Sequence, residues 1–160
     1  MESELDITDI AEKLESTTQM VWVGFCNETL TKIEALPPES EKWQIKAACT
    51  HILGGYFGSV SIEVEVALLE KMSKFMMREE SVTADDMNSV AREFVNVISG
   101  NLKVNLSQEH SILSAPKDFD RVGVGFDLPD SKAIATAMFR AESGALVVKL
   151  HQAKPPTLES

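Results

Sequence analysis

The stretch that decides the fold is Ser89-Val-Ala-Arg-Glu-Phe-Val-Asn-Val-Ile-Ser-Gly-Asn101. At about 100° of turn per residue, a helix over this stretch has an apolar arc and, opposite to it, a polar stripe about 60° wide. The pattern predicts a helix that packs on a core and exposes a carboxylate and a carboxamide. The arc contains Met87, Val90, Ala91, Phe94, Val95, Val97, Ile98 and Leu102, and the stripe contains Ser89, Glu93, Asn96 and Gly100.

Two residues of the stripe do not favour a helix. Asparagine has poor helix propensity, and Gly100 costs about 1 kcal/mol in a helix interior. A glycine one turn beyond the amide leaves room for another backbone to approach. An isolated Glu-x-x-Asn pair is usually a solvated helix face, so the pair alone does not establish a function.

Further elements are predicted on the N-terminal side of this helix. Asp6 can cap a first helix that ends at about Phe25. The loop 34–42 contains two prolines, and alternating apolar residues over 43–49 and 56–64, joined by a Gly-Gly turn, predict a β-hairpin. A second helix follows at about 65–78. Thr83 and Asp86 form a capping-box-like start for the long helix, which is expected to end near Val104.

The C-terminal part is predicted to contain mostly strands and loops. A short extended piece ends at Ser114-Ala-Pro116, and residues 117–131 are expected to be mostly loop with some strand character. A second hairpin follows over 134–150. The order predicts an α+β fold, with an antiparallel sheet covered by helices and a loose α-β-β repeat. Residues 1–152 would form one domain, and 153–160 a flexible tail.

Composition excludes several classes of function. A net charge of −10 over 160 residues argues against nucleic acid and against anionic membranes as partners. Cys26 and Cys49 form no closely spaced ligand pair, so two reduced, buried thiols are expected. We find neither a signal-peptide pattern nor an apolar run long enough to span a membrane, and we expect a cytoplasmic location.

Familiar catalytic motifs are absent from the sequence. It contains no GxSxG, P-loop or HExxH motif. His51, His110 and His151 lack metal-ligand spacing. Gly123-Val-Gly125 lacks the third glycine of a dinucleotide site, so loop glycines are expected there.

The pattern Ser-x-x-x-Glu-x-x-Asn-x-x-x-Gly-Asn over 89–101 resembles the signature of the CheC/CheX/FliY phosphatases of bacterial chemotaxis. Gly55-Tyr-Phe-Gly58-Ser-Val is similar to the family's strand entry, and Ser114-Ala-Pro116 to its S-x-P element. The resemblance covers roughly residues 50–150. A single Glu-x-x-Asn and the short chain indicate the CheX-like branch.

The resemblance implies a phosphatase that removes the phosphoryl group from the aspartate of a response regulator. Catalysis would involve Glu93, which pairs with the regulator's lysine, and Asn96, which holds the attacking water. Ser89, Gly100 and Asn101 would contact the partner. The chain would need no cofactor of its own, because the regulator supplies Mg²⁺, and it would pair as a homodimer through sheet edges.

One alternative stays open from the sequence. The same fold could serve as a non-catalytic dimeric scaffold or as a module that only binds response regulators. The enzyme requires an exposed and unobstructed Glu93/Asn96 pair, whereas the scaffold does not. A small-ligand sensor would need an apolar pocket with convergent polar groups, which the sequence does not indicate.

Overall fold

An antiparallel β-sheet carries three α-helices in the computed structural model, which describes residues 6–107, 109–125 and 131–154. The helices are α1 (Ile7–Cys26), α2 (Val66–Met77) and α3 (Ala84–Leu106), and a 3₁₀ helix covers Pro38–Lys42. The strands are β1 (Thr31–Lys32), β2 (Gln44–Gly54), β3 (Gly58–Glu65), β4 (Ser111–Leu113), β5 (Lys117–Val122), β6 (Ser131–Ala141) and β7 (Gly144–Ala153). The spatial strand order is β1-β6-β7-β3-β2-β4, and β5 also pairs with β2. The predicted α+β class is confirmed.

Helix α1 begins and ends at residues that satisfy its free backbone groups. The Asp6 carboxylate accepts hydrogen bonds from the backbone N–H of Thr8 and Asp9, as an N-cap does. Asn27 adopts the left-handed conformation at the C-cap, and its N–H bonds to the carbonyl of Val23. The predicted start at Asp6 and the end near Phe25 are therefore confirmed.

The hydrophobic core lies between the helices and one face of the sheet. Side chains at alternate positions of a strand point to opposite faces, so only one set from each strand can join it. On β2 these are Ala48 and Ile52, while Ala47 and Cys49 are buried on the other face. The core side chains of β3 and β7 are Val60, Ile62, Val64, Leu146, Val148 and Leu150. Residues at the centre of the sheet are thus buried on both faces. The sheet therefore gives α3 a well-packed surface to lie on.

The first predicted hairpin is formed by β2 and β3. Their register pairs Ile45 with Glu65 and Ile52 with Gly58. The strand entry requires glycine, because a Cβ at Gly58 would collide with the backbone carbonyl of His151. The second predicted hairpin, β6 and β7, pairs Ala141 with Gly144 at its turn. Both hairpin predictions are confirmed.

The strand character expected within residues 117–131 is confirmed, but the expectation that the segment is mostly loop is wrong at both ends. Strand β5 covers Lys117–Val122 and pairs with β2, with Ala48 opposite Asp118 and Lys46 opposite Asp120. Strand β6 already begins at Ser131. At the C-terminus β7 extends through Ala153, one residue past the predicted domain end, while the rest of the predicted tail, 155–160, lies outside the described residues.

Candidate active site

Helix α3 is fixed at its N-terminus by a complete capping box. The Thr83 hydroxyl accepts from the backbone N–H of Asp86 at 3.1 Å, and the Asp86 carboxylate accepts from the N–H of Thr83 at 2.9 Å. Asp85 and Asp86 in the first turn complement the positive end of the helix dipole. The predicted start is confirmed, and the helix continues to Leu106, two residues beyond the predicted end.

The inner face of α3 is buried, and aromatic contacts hold it against α1. The ring of Phe94 makes edge contacts with Trp22 and Phe25, with centroids 5.8 and 5.5 Å apart. Such pairs contribute about 0.5–1.5 kcal/mol beyond the area they bury. At the other end of the helix, the Lys103 ammonium donates to the carbonyl of Ser111, the first residue of β4. The helix is therefore a rigid base for its outer residues.

The polar stripe lies on the outer side of α3, as the helical period predicts. Ser89 and Glu93 are exposed, and Asn96 and Gly100 are partly exposed. Within the described part of the chain, the side chains of Glu93 and Asn96 form neither a hydrogen bond nor an ion pair. A carboxylate and a carboxamide, one turn apart, are thus open to a partner.

The remaining predicted contact residues differ in what surrounds them. A Cβ built on Gly100 would meet only Leu113 Cδ1, at 3.9 Å, so the fold itself does not require glycine there. Asn101 is exposed, but its carboxamide nitrogen donates to the carbonyl of Val97 at 2.8 Å. Asn101 lies about 140° round the helix from Asn96 and is separate from the stripe. Contact of either residue with a partner stays a prediction.

The sequence did not reveal an ion pair beside the stripe. Arg92 Nη1 lies 2.6 Å from the Asp118 carboxylate on β5, and Arg92 Nη2 donates to the Ser89 hydroxyl at 3.2 Å. The three-residue spacing of Ser89 and Arg92 indicates a shared helix surface. Asp118 lies in the segment expected to be mostly loop, so nothing local linked it to α3.

Two classes of site find no support in the described ranges. Among residues 6–107, 109–125 and 131–154, no group of three or more His, Cys, Asp or Glu side chains could hold a metal ion. None of the helices in these ranges is long and apolar enough to cross a membrane. Cys26 and Cys49 are free and buried, as expected.

Comparison with known proteins identifies the family. Residues 47–140, more than half of the chain and including all of α3's polar stripe, match the family described as chemotaxis phosphatase CheX. The chain belongs to the chemotaxis phosphatase CheX family. No curated protein matches it by sequence.

Solved structures of CheX proteins share the fold at low sequence identity. The chemotaxis protein CheX of Vibrio vulnificus is 14% identical, with a TM-score of 0.74, over 92% of this chain and 98% of that one. CheX from Desulfovibrio desulfuricans is 17% identical, with a TM-score of 0.70, over 89% and 97%. The CheX–CheY–BeF₃–Mg²⁺ complex from Borrelia burgdorferi contains a chain that is 13% identical, with a TM-score of 0.70, over 94% and 100%.

Proposed function

We propose that this CheX-family chain hydrolyses the phosphoaspartate of a response-regulator receiver domain. The observation that carries the proposal is that the exposed Glu93 and the partly exposed Asn96 have no side-chain partner among the described residues, on a helix whose inner face is buried. The Borrelia burgdorferi CheX, which has the same fold, was crystallised with CheY, BeF₃ and Mg²⁺. A receiver domain is therefore the partner class that fits best.

Asn96 is proposed to hold the attacking water. An aspartyl phosphate is an acyl phosphate, which is already activated, so hydrolysis needs an in-line water more than a strong nucleophile. The carboxamide oxygen can accept a hydrogen bond from that water while the amide nitrogen donates to another group. Because no described side chain occupies either atom, both are available when a partner docks.

Glu93 is proposed to fix the register of docking. One helical turn before Asn96, its carboxylate can pair with a lysine of the regulator's active site. Charge-assisted contacts of this kind give specificity and association rate as well as affinity. The Mg²⁺ that assists the reaction is expected to be bound by the regulator, so this chain supplies only the acid and the amide.

The test follows the loss of phosphate from phosphorylated receiver domains of the same genome. The chain is expected to accelerate that loss for at least one of them, and Asn96→Ala to reduce the acceleration by at least ~10²-fold without lowering the thermal midpoint. The matched control is Asn105→Ala, an exposed carboxamide on α3 about 180° from Asn96, which should retain activity.

Two results would contradict the proposal. Full turnover by Asn96→Ala would show that the amide does not hold the water. If the unmodified chain binds a receiver domain but accelerates hydrolysis with none of them, the non-catalytic module is favoured.

A further inference from the structure

A cation lies at the edge of the polar stripe, on the β5 side of α3. Arg92 precedes Glu93 in the sequence, and its side chain is 38% exposed. The guanidinium is held on the β5 side of α3, where it contacts Asp118 at 2.6 Å and the Ser89 hydroxyl at 3.2 Å. The lysine of the receiver domain is expected to approach Glu93 on this surface. Arg92 would repel that lysine unless the charge of Arg92 is neutralised.

A second cation, on the neighbouring strand β2, also contacts Asp118. The Lys46 ammonium on β2, only 8% exposed, lies 3.9 Å from Asp118 and also contacts Asp120. Asp118 is only 21% exposed, whereas Asp120 is 86% exposed. Asp118 thus bridges a buried cation and a surface cation, and screening by water weakens its pair with Arg92 less than that of an exposed pair.

We infer that Asp118 is a positioning residue for the phosphatase surface: it holds Arg92 against β5 and so keeps an uncompensated positive charge away from Glu93. The inference rests on the proposed function, because it concerns how Glu93 receives the lysine of the receiver domain. The inference gives a role in partner docking to β5, a strand in the segment that was expected to be mostly loop.

The test compares two substitutions that remove the same charge from the same strand. Asp118→Asn removes the charge that neutralises Arg92, whereas Asp120→Asn removes an equal charge that contacts Lys46 but not α3. With a phosphorylated receiver domain that the unmodified chain dephosphorylates, Asp118→Asn is expected to raise KM about fivefold and leave kcat within about twofold. The rise should be largest at low salt, and Asp120→Asn should leave KM unchanged.

A second substitution separates electrostatics from mere support of the fold. Arg92→Gln added to Asp118→Asn removes the freed cation and is expected to restore KM, while any loss of thermal stability should persist. If Asp118 only supports the fold, the double variant will be no better than Asp118→Asn.

Three outcomes would overturn the inference. The first is equal KM values for Asp118→Asn and Asp120→Asn, and the second is a double variant without rescue. The third is a lower KM for Asp118→Asn, which would make the freed guanidinium a contact for the phosphoryl group. Inactivity of the unmodified chain would instead refute the proposed function, and the inference would fall with it.

Discussion

Gly100 is a helix residue that the packing of the fold does not require. A Cβ there would lie in ordinary contact distance of Leu113, so alanine fits without any shift. We therefore expect Gly100→Ala to raise the free energy of unfolding by about 0.5–1 kcal/mol through better helix propensity. If the glycine gives clearance to a docking partner, the same change should raise KM for the phosphorylated receiver domain. Chemical denaturation and steady-state kinetics measure the two effects.

The control for Gly100→Ala is a second alanine on the same helix. Asn105→Ala improves helix propensity away from the stripe, so it should stabilise the fold slightly and leave KM unchanged. A Gly100→Ala protein that is more stable and has normal kinetics would show that the glycine serves no partner.

A substitution at Glu93 can separate the effect of its charge from the effect of its shape. Glu93→Gln keeps the length of the side chain and removes its charge, so we expect KM to rise about tenfold with little change in kcat. Increasing ionic strength should reduce the difference, since exposed charges are screened. Glu12→Gln on α1, an exposed glutamate outside the stripe, is the matched control. Equal KM values for the two variants would remove the docking role from Glu93.

At the scale of the element, the two faces of α3 are expected to have different roles: the buried face stabilises the fold, and the outer face carries the activity. Phe94 is fully buried and contacts two aromatic rings of α1, so Phe94→Ala should lower the free energy of unfolding by about 3–5 kcal/mol. Asn96, two residues away, faces outward, so Asn96→Ala should reduce turnover without lowering the free energy of unfolding. Urea unfolding of both variants checks this division. A comparable destabilisation by Asn96→Ala would mean that the amide also supports the fold.

Local signals explain why α3 was predictable and β5 was not. The helical period of apolar residues and the Thr83/Asp86 box lie within the helix itself, so the sequence indicates both its start and its outward face. Strand β5 reads Lys-Asp-Phe-Asp-Arg-Val and is mostly exposed or half-buried, and it exists because it pairs with β2, far away in the sequence. The Arg92–Asp118 ion pair depends on that strand, so it could not be predicted from the sequence either.

At the scale of the whole molecule, pairing of two copies stays a prediction. Strand β6 pairs with β1 at Phe139 and Arg140, and the N–H of Ile33 donates to the Met138 carbonyl, so much of the remaining length of β6 forms a sheet edge within the described residues. Such edges are places where a second chain can add strands. Sedimentation equilibrium is expected to give twice the mass of one chain, and a single-chain mass across micromolar concentrations would contradict the homodimer.

The stability of the whole fold should fall in alkaline solution because buried acids are neutral in it. Burial, with a smaller contribution from Glu28, raises the pKa of the Cys26 thiol from 9.0 to about 12. Burial also raises the pKa values of Cys49 and Tyr56, whose hydroxyl donates to the carbonyl of His151. In the unfolded chain these groups ionise at their ordinary values, so above about pH 9 the unfolded state binds fewer protons than the folded state.

The free energy of unfolding should therefore be unaffected by these groups below pH 8. It should decline by up to ~1.4 kcal/mol per pH unit for each group, above about pH 9 for the two cysteines and above about pH 10 for Tyr56, until the pH reaches the folded pKa of that group. Guanidinium unfolding at pH 7, 9 and 10.5 measures the slope, and a Cys26→Ala/Cys49→Ala variant should show a shallower one. Thiol reagents should label the native protein slowly at pH 8, because the buried thiols are protonated there. A slope that is the same with and without the two cysteines would contradict their assignment as neutral core groups.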